Sequence, residues 1–226
     1  MYLLFNEGYS ASSGAELVRR PLCAEAIRLA RLLVELMPDE PEALGLLALM
    51  LLQDSRRAAR VDDSGSLVPL DEQDRSAWDA QAIADGVAVL EAALRRRKPG
   101  PYQVQAAIAA CHARAGRAAD TDWHEIAALY DRLRMMTSSP VVALNHAVAR
   151  SMAEGPEAGL ALVDALAASD VLGRYHLLPA TRADLLRRLG RHAEAAAEYA
   201  RALEVAPSDV ERRFLERRLY EVRAPG

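Results

Sequence analysis

Cysteine is scarce. Cys23 and Cys111 are the only two in 226 residues and stand far apart in helix-like sequence. That excludes a disulfide scaffold and a zinc site built on paired CxxC ligands, and it fits a reducing cytoplasm. No apolar run approaches the roughly 20 residues needed to cross a bilayer. The opening Met1-Tyr2-Leu3-Leu4-Phe5 has neither a basic segment nor a cleavage site, so neither export by an obvious signal nor membrane insertion is expected. Positive charge is not in excess: 28 Lys and Arg against 32 Asp and Glu leave a net charge of -4. Long-range attraction to phosphate backbones is therefore missing, which argues against nucleic-acid binding by electrostatics alone. The local exception, Arg95-Arg96-Arg97-Lys98, is expected to be a solvated helix C-terminus whose cations complement the helix dipole.

Catalytic signatures are missing too. The chain has no GxGxxG, no P-loop, no GxSxG elbow and no HExxH, so the common phosphate-binding, acyl-transfer and zinc-hydrolase patterns are absent. The acids Asp62, Asp63, Asp71, Glu72 and Asp74 cluster, but Gly65 does not sit where a calcium loop needs its glycine. The histidines at 112, 124, 146, 176 and 192 show no metal-type spacing. The expectation is a non-enzyme with no metal, no cofactor and no catalytic residue.

What is abundant is alanine and leucine, against only 5% aromatic residues. Both are strong helix formers that pack helices closely, and they predict an all-α fold. The segment LRRLGRHAEAAAEYARALEVAP places Gly190, Ala195, Tyr199, Ala202 and Pro207 at the offsets of a tetratricopeptide repeat. The alanines let two antiparallel helices approach, the aromatic fills a groove, and the proline stops the second helix. The same template fits Ala26, Ala30, Leu33 and Pro38 on one helix and Leu44, Leu47, Ala48 and Leu51 on the next. Degenerate copies place Gly86, Leu90 and Ala93 before Pro99 and Pro101, Ile126, Tyr130 and Leu133 before Pro140, and Ala158, Leu162 and Ala165 before Gly173. The expected architecture is a right-handed solenoid of helix pairs forming one domain over 1–226. Helices fill 1–60, an insertion loop 61–75, helix pairs 76–207 and a capping helix 208–226. In the cap, Ser208 and Glu211 make a capping box, and Val210, Phe214 and either Leu219 or Tyr220 face the stack.

The insertion breaks the repeat. Val61 to Leu70 reads as a short hairpin around Asp63, Ser64 and Gly65, and long insertions in repeat proteins gather on one face, often the functional one. Asp74 is placed to cap free amides, Arg75 to pair with an acid and Trp78 to pin the loop to the stack. Tyr102, Gln105 and His112 fall on an opening helix at positions that face the concave groove, and Asn145 is placed likewise one repeat later. Polar and aromatic groups in such a groove suit an extended peptide or a helix. The N-terminal apolar pattern opens in mid-helix with no capping residue, so more protein is expected before it.

Several phrases carry a wider resemblance: YLLFNEGYSAS at 2–12, LCAEAIRLARLL at 22–33, EALGLLALMLL at 42–52, EQDRSAWD at 72–79, GPYQVQAAIAACHA at 100–113 and SPVVALNHAVA at 139–149. In this order, and over essentially the whole chain, they resemble the C-terminal extension of extracytoplasmic-function sigma factors that carry tetratricopeptide repeats. His146 departs from the arginine of the family phrase, so no charge-dependent role is assigned there. The resemblance implies a regulatory module that contacts its own sigma regions or RNA polymerase subunits. The promoter-binding sigma regions themselves are not in this sequence, so this part is expected not to bind nucleic acid directly. Glu7 and Tyr9 in the first phrase join Asp74, Arg75, Trp78, Tyr102, Gln105, His112 and Asn145 as candidate contacts for a partner or ligand. A small-molecule sensor built on Tyr102, Gln105, His112 and Asn145 is the alternative.

Overall fold

A computed structural model describes residues 1–9, 20–62, 66–173 and 175–224. Among these the fold is all-α, with eleven helices: α1 (Tyr2–Tyr9), α2 (Arg20–Leu36), α3 (Pro41–Asp54), α4 (Ala80–Leu94), α5 (Pro101–Arg114), α6 (Trp123–Met136), α7 (Pro140–Glu154), α8 (Pro156–Ala168), α9 (Leu177–Arg188), α10 (His192–Glu204) and α11 (Asp209–Arg223). Short 3-10 turns lie at Arg57–Ala59, Arg75–Ala77 and Ala118–Asp120. No helix among the described residues is long and apolar enough to cross a membrane. The chain forms two compact units, Met1–Glu125 and Ile126–Gly226.

The first unit is built around α3. Its sequence PEALGLLALMLLQD is apolar on every face, and Pro41 and all residues from Ala43 to Leu52 are buried. Such a helix must be covered all round, and α1, α2, α4 and α5 all pack on it. Small residues set the close approaches. A Cβ on Gly8 would lie 2.8 Å from the Cys23 amide nitrogen of α2, and one on Gly45 would lie 2.7 Å from the Gln103 amide nitrogen of α5. Start signals are local: Pro41 and Pro101 sit in the first turns of their helices, and Asp79 caps α4 by accepting from the Ala82 amide at 2.9 Å.

A carboxylate from α3 completes the start of α5. Glu42 accepts from the backbone amides of Tyr102 and Gln103 at 2.9 and 3.2 Å and from the Gln103 side-chain amide at 3.0 Å. Free amides at a helix N-terminus and the positive dipole end both favour an anion there. A side chain on Gly100 would fall 2.3 Å from the Glu42 carboxyl carbon, which accounts for glycine beside Pro101.

The second unit runs as consecutive antiparallel contacts, α7 on α8, α8 on α9, α9 on α10 and α10 on α11. The expected small and aromatic positions are inward: Ala195, Tyr199 and Ala202 are buried, and Gly190 takes the left-handed turn at φ 72°. The Ser208–Glu211 capping box forms, with the Glu211 amide donating to Ser208 Oγ at 3.3 Å. In the cap, Val210 and Leu215 are buried and Leu219 packs on the core, whereas Tyr220 is exposed. The α8 register differs by one residue from the repeat template: Gly159, Leu160 and Val163 are buried and Ala165 is exposed. The cause is the α7 crossing, where a Cβ on Gly159 would lie 2.3 Å from the Ser151 Cβ; only glycine fits, and it fixes the face.

The insertion forms no strand among its described residues. Its arms meet in one antiparallel bridge, Val61 to Leu67, supported by the Val68 amide donating to the Arg60 carbonyl at 2.9 Å. The expected turn residues Asp63, Ser64 and Gly65 lie outside the described residues.

Both tryptophans, Trp78 and Trp123, belong to the first unit, so their fluorescence reports its unfolding. Glu42→Ala is expected to lower that unit's stability in urea by about 2 kcal/mol, because it removes the acceptor of the Tyr102 and Gln103 amides at the start of α5. Gly45→Ala is expected to destabilise as well. Overpacking at the Gln103 backbone costs ~1–3 kcal/mol, which exceeds the ~1 kcal/mol that alanine gains in helix propensity.

Candidate functional site

The candidate residues fall into separate groups. Asp74, Arg75, Trp78 and His112 belong to one cluster, where the insertion returns to the helices. Asp74 accepts from the Ser76 amide and hydroxyl at 2.9 and 2.7 Å, which caps the 3-10 turn and lowers its carboxyl pKa. Among the described residues Arg75 pairs with no acid. Its guanidinium donates to the His112 carbonyl, to the Ala115 carbonyl at 2.9 Å and to Thr121 Oγ1 at 3.1 Å, and it lies 4.9 Å from the Trp78 ring. It therefore ties the end of α5 and the following loop to the insertion. Trp78 is buried and His112 stands edge-on to Trp123 at 5.1 Å between centroids.

This cluster is basic and incompletely satisfied. Arg75 Nε, Trp78 Nε1 and His112 Nδ1 are buried with no hydrogen-bond partner. Burial, reinforced by the charges of Arg56 and Arg75, pushes the His112 pKa down to about 4, so its ring is neutral near pH 7.

Arg56 connects this cluster to the first phrase of the chain, because it also lies 5.5 Å from the Tyr9 ring. Arg60 stacks over the same ring at 3.7 Å and donates to the Tyr9 carbonyl. Tyr9 is buried against Phe5, and Glu7 is half-buried on the same helix. Arg56, Arg60, Thr121 and Trp123 are thus site-forming residues that sequence reasoning missed. The only local signal was the RRAAR run at 56–60, whose i and i+4 arginines share a helical side.

Tyr102 and Gln105 sit elsewhere, at the start of α5. The Tyr2 hydroxyl donates to Gln105 Oε1 at 3.5 Å, and the Tyr2 and Tyr102 rings meet edge-on at 5.5 Å. Asn145 is exposed on α7 in the second unit, where the neighbouring His146 is the buried residue. His146 Nδ1 lies 3.2 Å from the Arg134 guanidinium, and its Nε2 lies 3.3 Å from Arg150 Nε and 2.8 Å from Asp131 Oδ1. Burial lowers the His146 pKa against the opposing pull of Asp131.

The second unit also has an open groove of about 580 Å³ between α8, α9 and α10, lined by Tyr175, Leu178, Pro179, Arg182, Glu198 and Arg201. Arg182 bridges Asp164 at 2.7 Å and Glu198 at 3.1 Å, and Arg201 holds Glu198 at 3.0 Å. Arg182, Glu198 and Arg201 are therefore paired within the groove.

Neither thiol is poised to attack. Burial, with the nearby Asp54 charge, pushes Cys23 up to about 11, and burial with the Glu125 charge pushes Cys111 up to about 12. Among the described residues no group of three His, Cys, Asp or Glu side chains converges to hold a metal ion.

Comparison with known proteins places this geometry in a wider setting. The model of a family of unknown function (DUF6596) matches residues 1–94, which include α1 to α4 and the insertion. An uncharacterized protein of Rhizobium meliloti (strain 1021) is 49% identical over 224 residues, covering 99% of this chain and 52% of that protein. The chain thus spans about half the length of the curated relative it matches. No solved structure matches.

His112 gives the first unit a defined acid sensitivity. Its folded pKa of about 4 lies below the ordinary 6.5, so between those values the unfolded chain binds the proton more readily. Stability contributed by the neutral ring is complete above about pH 6.5, falls as the pH drops toward 4 and changes no further below it. The loss should approach roughly 3 kcal/mol. Urea midpoints at pH 7 and pH 4, read by tryptophan fluorescence, are expected to converge in His112→Gln relative to the parent chain. An unchanged pH dependence in the variant would show that other groups carry it.

Proposed function

We propose that this chain is a non-catalytic regulatory domain of an extracytoplasmic-function sigma factor, which acts in the cytoplasm by binding its own sigma regions or an RNA polymerase subunit. The observation that carries this reading is the proportion of the match: nearly all of this chain aligns with about half of a longer relative. About half of that relative's length lies outside the match, which leaves room for the further regions that a domain acting in cis requires. The ordered phrases from YLLFNEGYSAS to SPVVALNHAVA supply the sigma-factor setting. On this reading the helix pairs are of tetratricopeptide type and wind as a right-handed solenoid, an architecture that offers long binding faces.

In this reading promoter DNA is contacted by the parent's sigma regions, and the helical domain needs neither cofactor nor metal. The partner contacts are expected on the insertion and the neighbouring residues of the first unit, Glu7, Tyr9, Asp74, Arg75 and Trp78, with Tyr102, Gln105 and His112 of the same unit; Asn145, in the second unit, is a separate candidate contact.

A second reading, a small-molecule sensor, is favoured by one observation: the unpartnered buried atoms of Arg75, Trp78 and His112. Three polar groups lacking partners in one place are a natural receptor for a ligand with complementary acceptors.

Calorimetric titration separates the two. The chain is titrated with the separately expressed remainder of the Rhizobium meliloti relative and with core RNA polymerase. Saturable binding to either is expected, and absence of binding to both would overturn the sigma-factor reading.

A further inference from the structure

The ends of α2 and α4 meet at the surface of the first unit. Arg96 donates to the Pro38 carbonyl just beyond α2, and to the Ala92 carbonyl of its own helix at 3.0 Å. That contact brings two unlike features together. One is apolar: Leu36 is 80% exposed, and Leu32, Met37 and Leu94 are each more than 40% exposed. The other is the basic run Arg95 to Lys98, all four residues exposed. Arg96 is occupied by the two carbonyls, whereas the side chains of Arg95, Arg97 and Lys98 have no hydrogen bond or ion pair among the described residues.

Arg97 is held at φ 55°. This is the left-handed region where glycine is the unstrained choice at a helix end. Helix termination would be served better by glycine, so the cation is retained at a conformational cost. The dipole reading of the basic run explains cations in the last turn, but not a charged side chain at the strained position.

From this juxtaposition we propose that the α2–α4 end, with Leu36, Met37 and Leu94 beside Arg95, Arg97 and Lys98, is a docking surface for an acidic amphipathic helix of a protein partner. Charge complementarity selects the occupant. Three free cations call for carboxylates, and the exposed Leu and Met side chains call for an apolar stripe on the same segment. Exposed Glu35 and Asp39 flank the patch on its α2 side, so the partner's acids face the α4 end and its orientation is fixed. Nucleic acid would satisfy the cations but leave Leu36 and Met37 in water, and it would meet a chain of net charge -4. The inference does not depend on the sigma-factor reading, because it names the chemistry of the partner and uses a surface distinct from the Arg75 cluster.

The test uses the whole chain and a fluorescein-labelled amphipathic peptide of Leu and Glu, about 18 residues long so that it forms a helix. The controls are the same peptide with Ser for Leu and a DNA duplex of similar charge. Anisotropy titration is expected to show saturable binding of the Leu-Glu peptide, about tenfold tighter than either control and weakened by salt. Arg97→Gly and Leu36→Ser are each expected to reduce that affinity by about fivefold.

Both substitutions are chosen to preserve the fold. Leu36 is largely in solvent, and Arg97→Gly relaxes the backbone, so its Tm should hold or rise. Equal binding of the Ser-Glu peptide or of DNA, no binding of the Leu-Glu peptide, or wild-type affinity in both variants would overturn the proposal. A fall in Tm for Arg97→Gly would do so too, since it would make the residue a structural cap.

Discussion

A helix that is apolar on every side cannot be stable until every side is covered, and α3 imposes this condition on the first unit. Ten consecutive residues from Ala43 to Leu52 are buried, so α3 is the axis on which α1, α2, α4 and α5 are arranged. The glycines at 45 and 86 follow from the same condition, and Gly8 serves the α1–α2 contact beside it. Each lies where a neighbouring residue comes too close to admit a Cβ: Cys23 at Gly8, Gln103 at Gly45 and Leu52 at Gly86. Covering α3 also forces α5 close enough for Glu42 to reach its first amides, so apolar packing and an N-terminal carboxylate clasp are two results of one constraint.

The polar parts of the chain obey a different logic in each unit. In the first, a guanidinium is used as a hub for carbonyls: Arg75 holds the backbone of His112 and Ala115 and leaves the surroundings short of acceptors. In the second, arginines are neutralised by acids across helices, as Arg182 is by Asp164 and Glu198. Arg188 instead reaches the Ser151 carbonyl at 3.3 Å, and Arg134 lies 3.2 Å from His146 Nδ1. A carbonyl-bound arginine keeps its positive field, whereas a paired one loses most of it. That is why the basic, unsatisfied character gathers around the insertion and not in the groove of the second unit.

Much of the helical architecture was legible in the sequence because its signals are local. Alanine at 195 and 202 with Tyr199 between them, Gly190 at the turn, and the Ser208–Glu211 box each act within one helix pair or one turn. The α8 register was not legible, because Gly159 is set by Ser151 on the preceding helix and alanines at 158 and 165 offered an equally good stripe. The site was legible only in part. Arg75 and Trp78 stood out by type, but the grouping did not. His112 is drawn to Arg75 through its backbone carbonyl, which any residue type would supply, and Arg56 reaches both Tyr9 and His112 from the end of α3. Tyr102 and Gln105 share a helix with His112 yet pack on Tyr2 near the opposite end, so a single groove position inferred from spacing divided into two environments.

The all-round burial of α3 has a consequence for how the protein is made. On the ribosome α3 is complete at residue 54, but its last covering helix, α5, ends only at residue 114. At ordinary synthesis rates this leaves the most fully buried helix among the described residues partly uncovered for about 3–12 s. During that interval the nascent chain presents to its surroundings a leucine-rich surface that the finished protein never shows, and chaperone engagement would concentrate there.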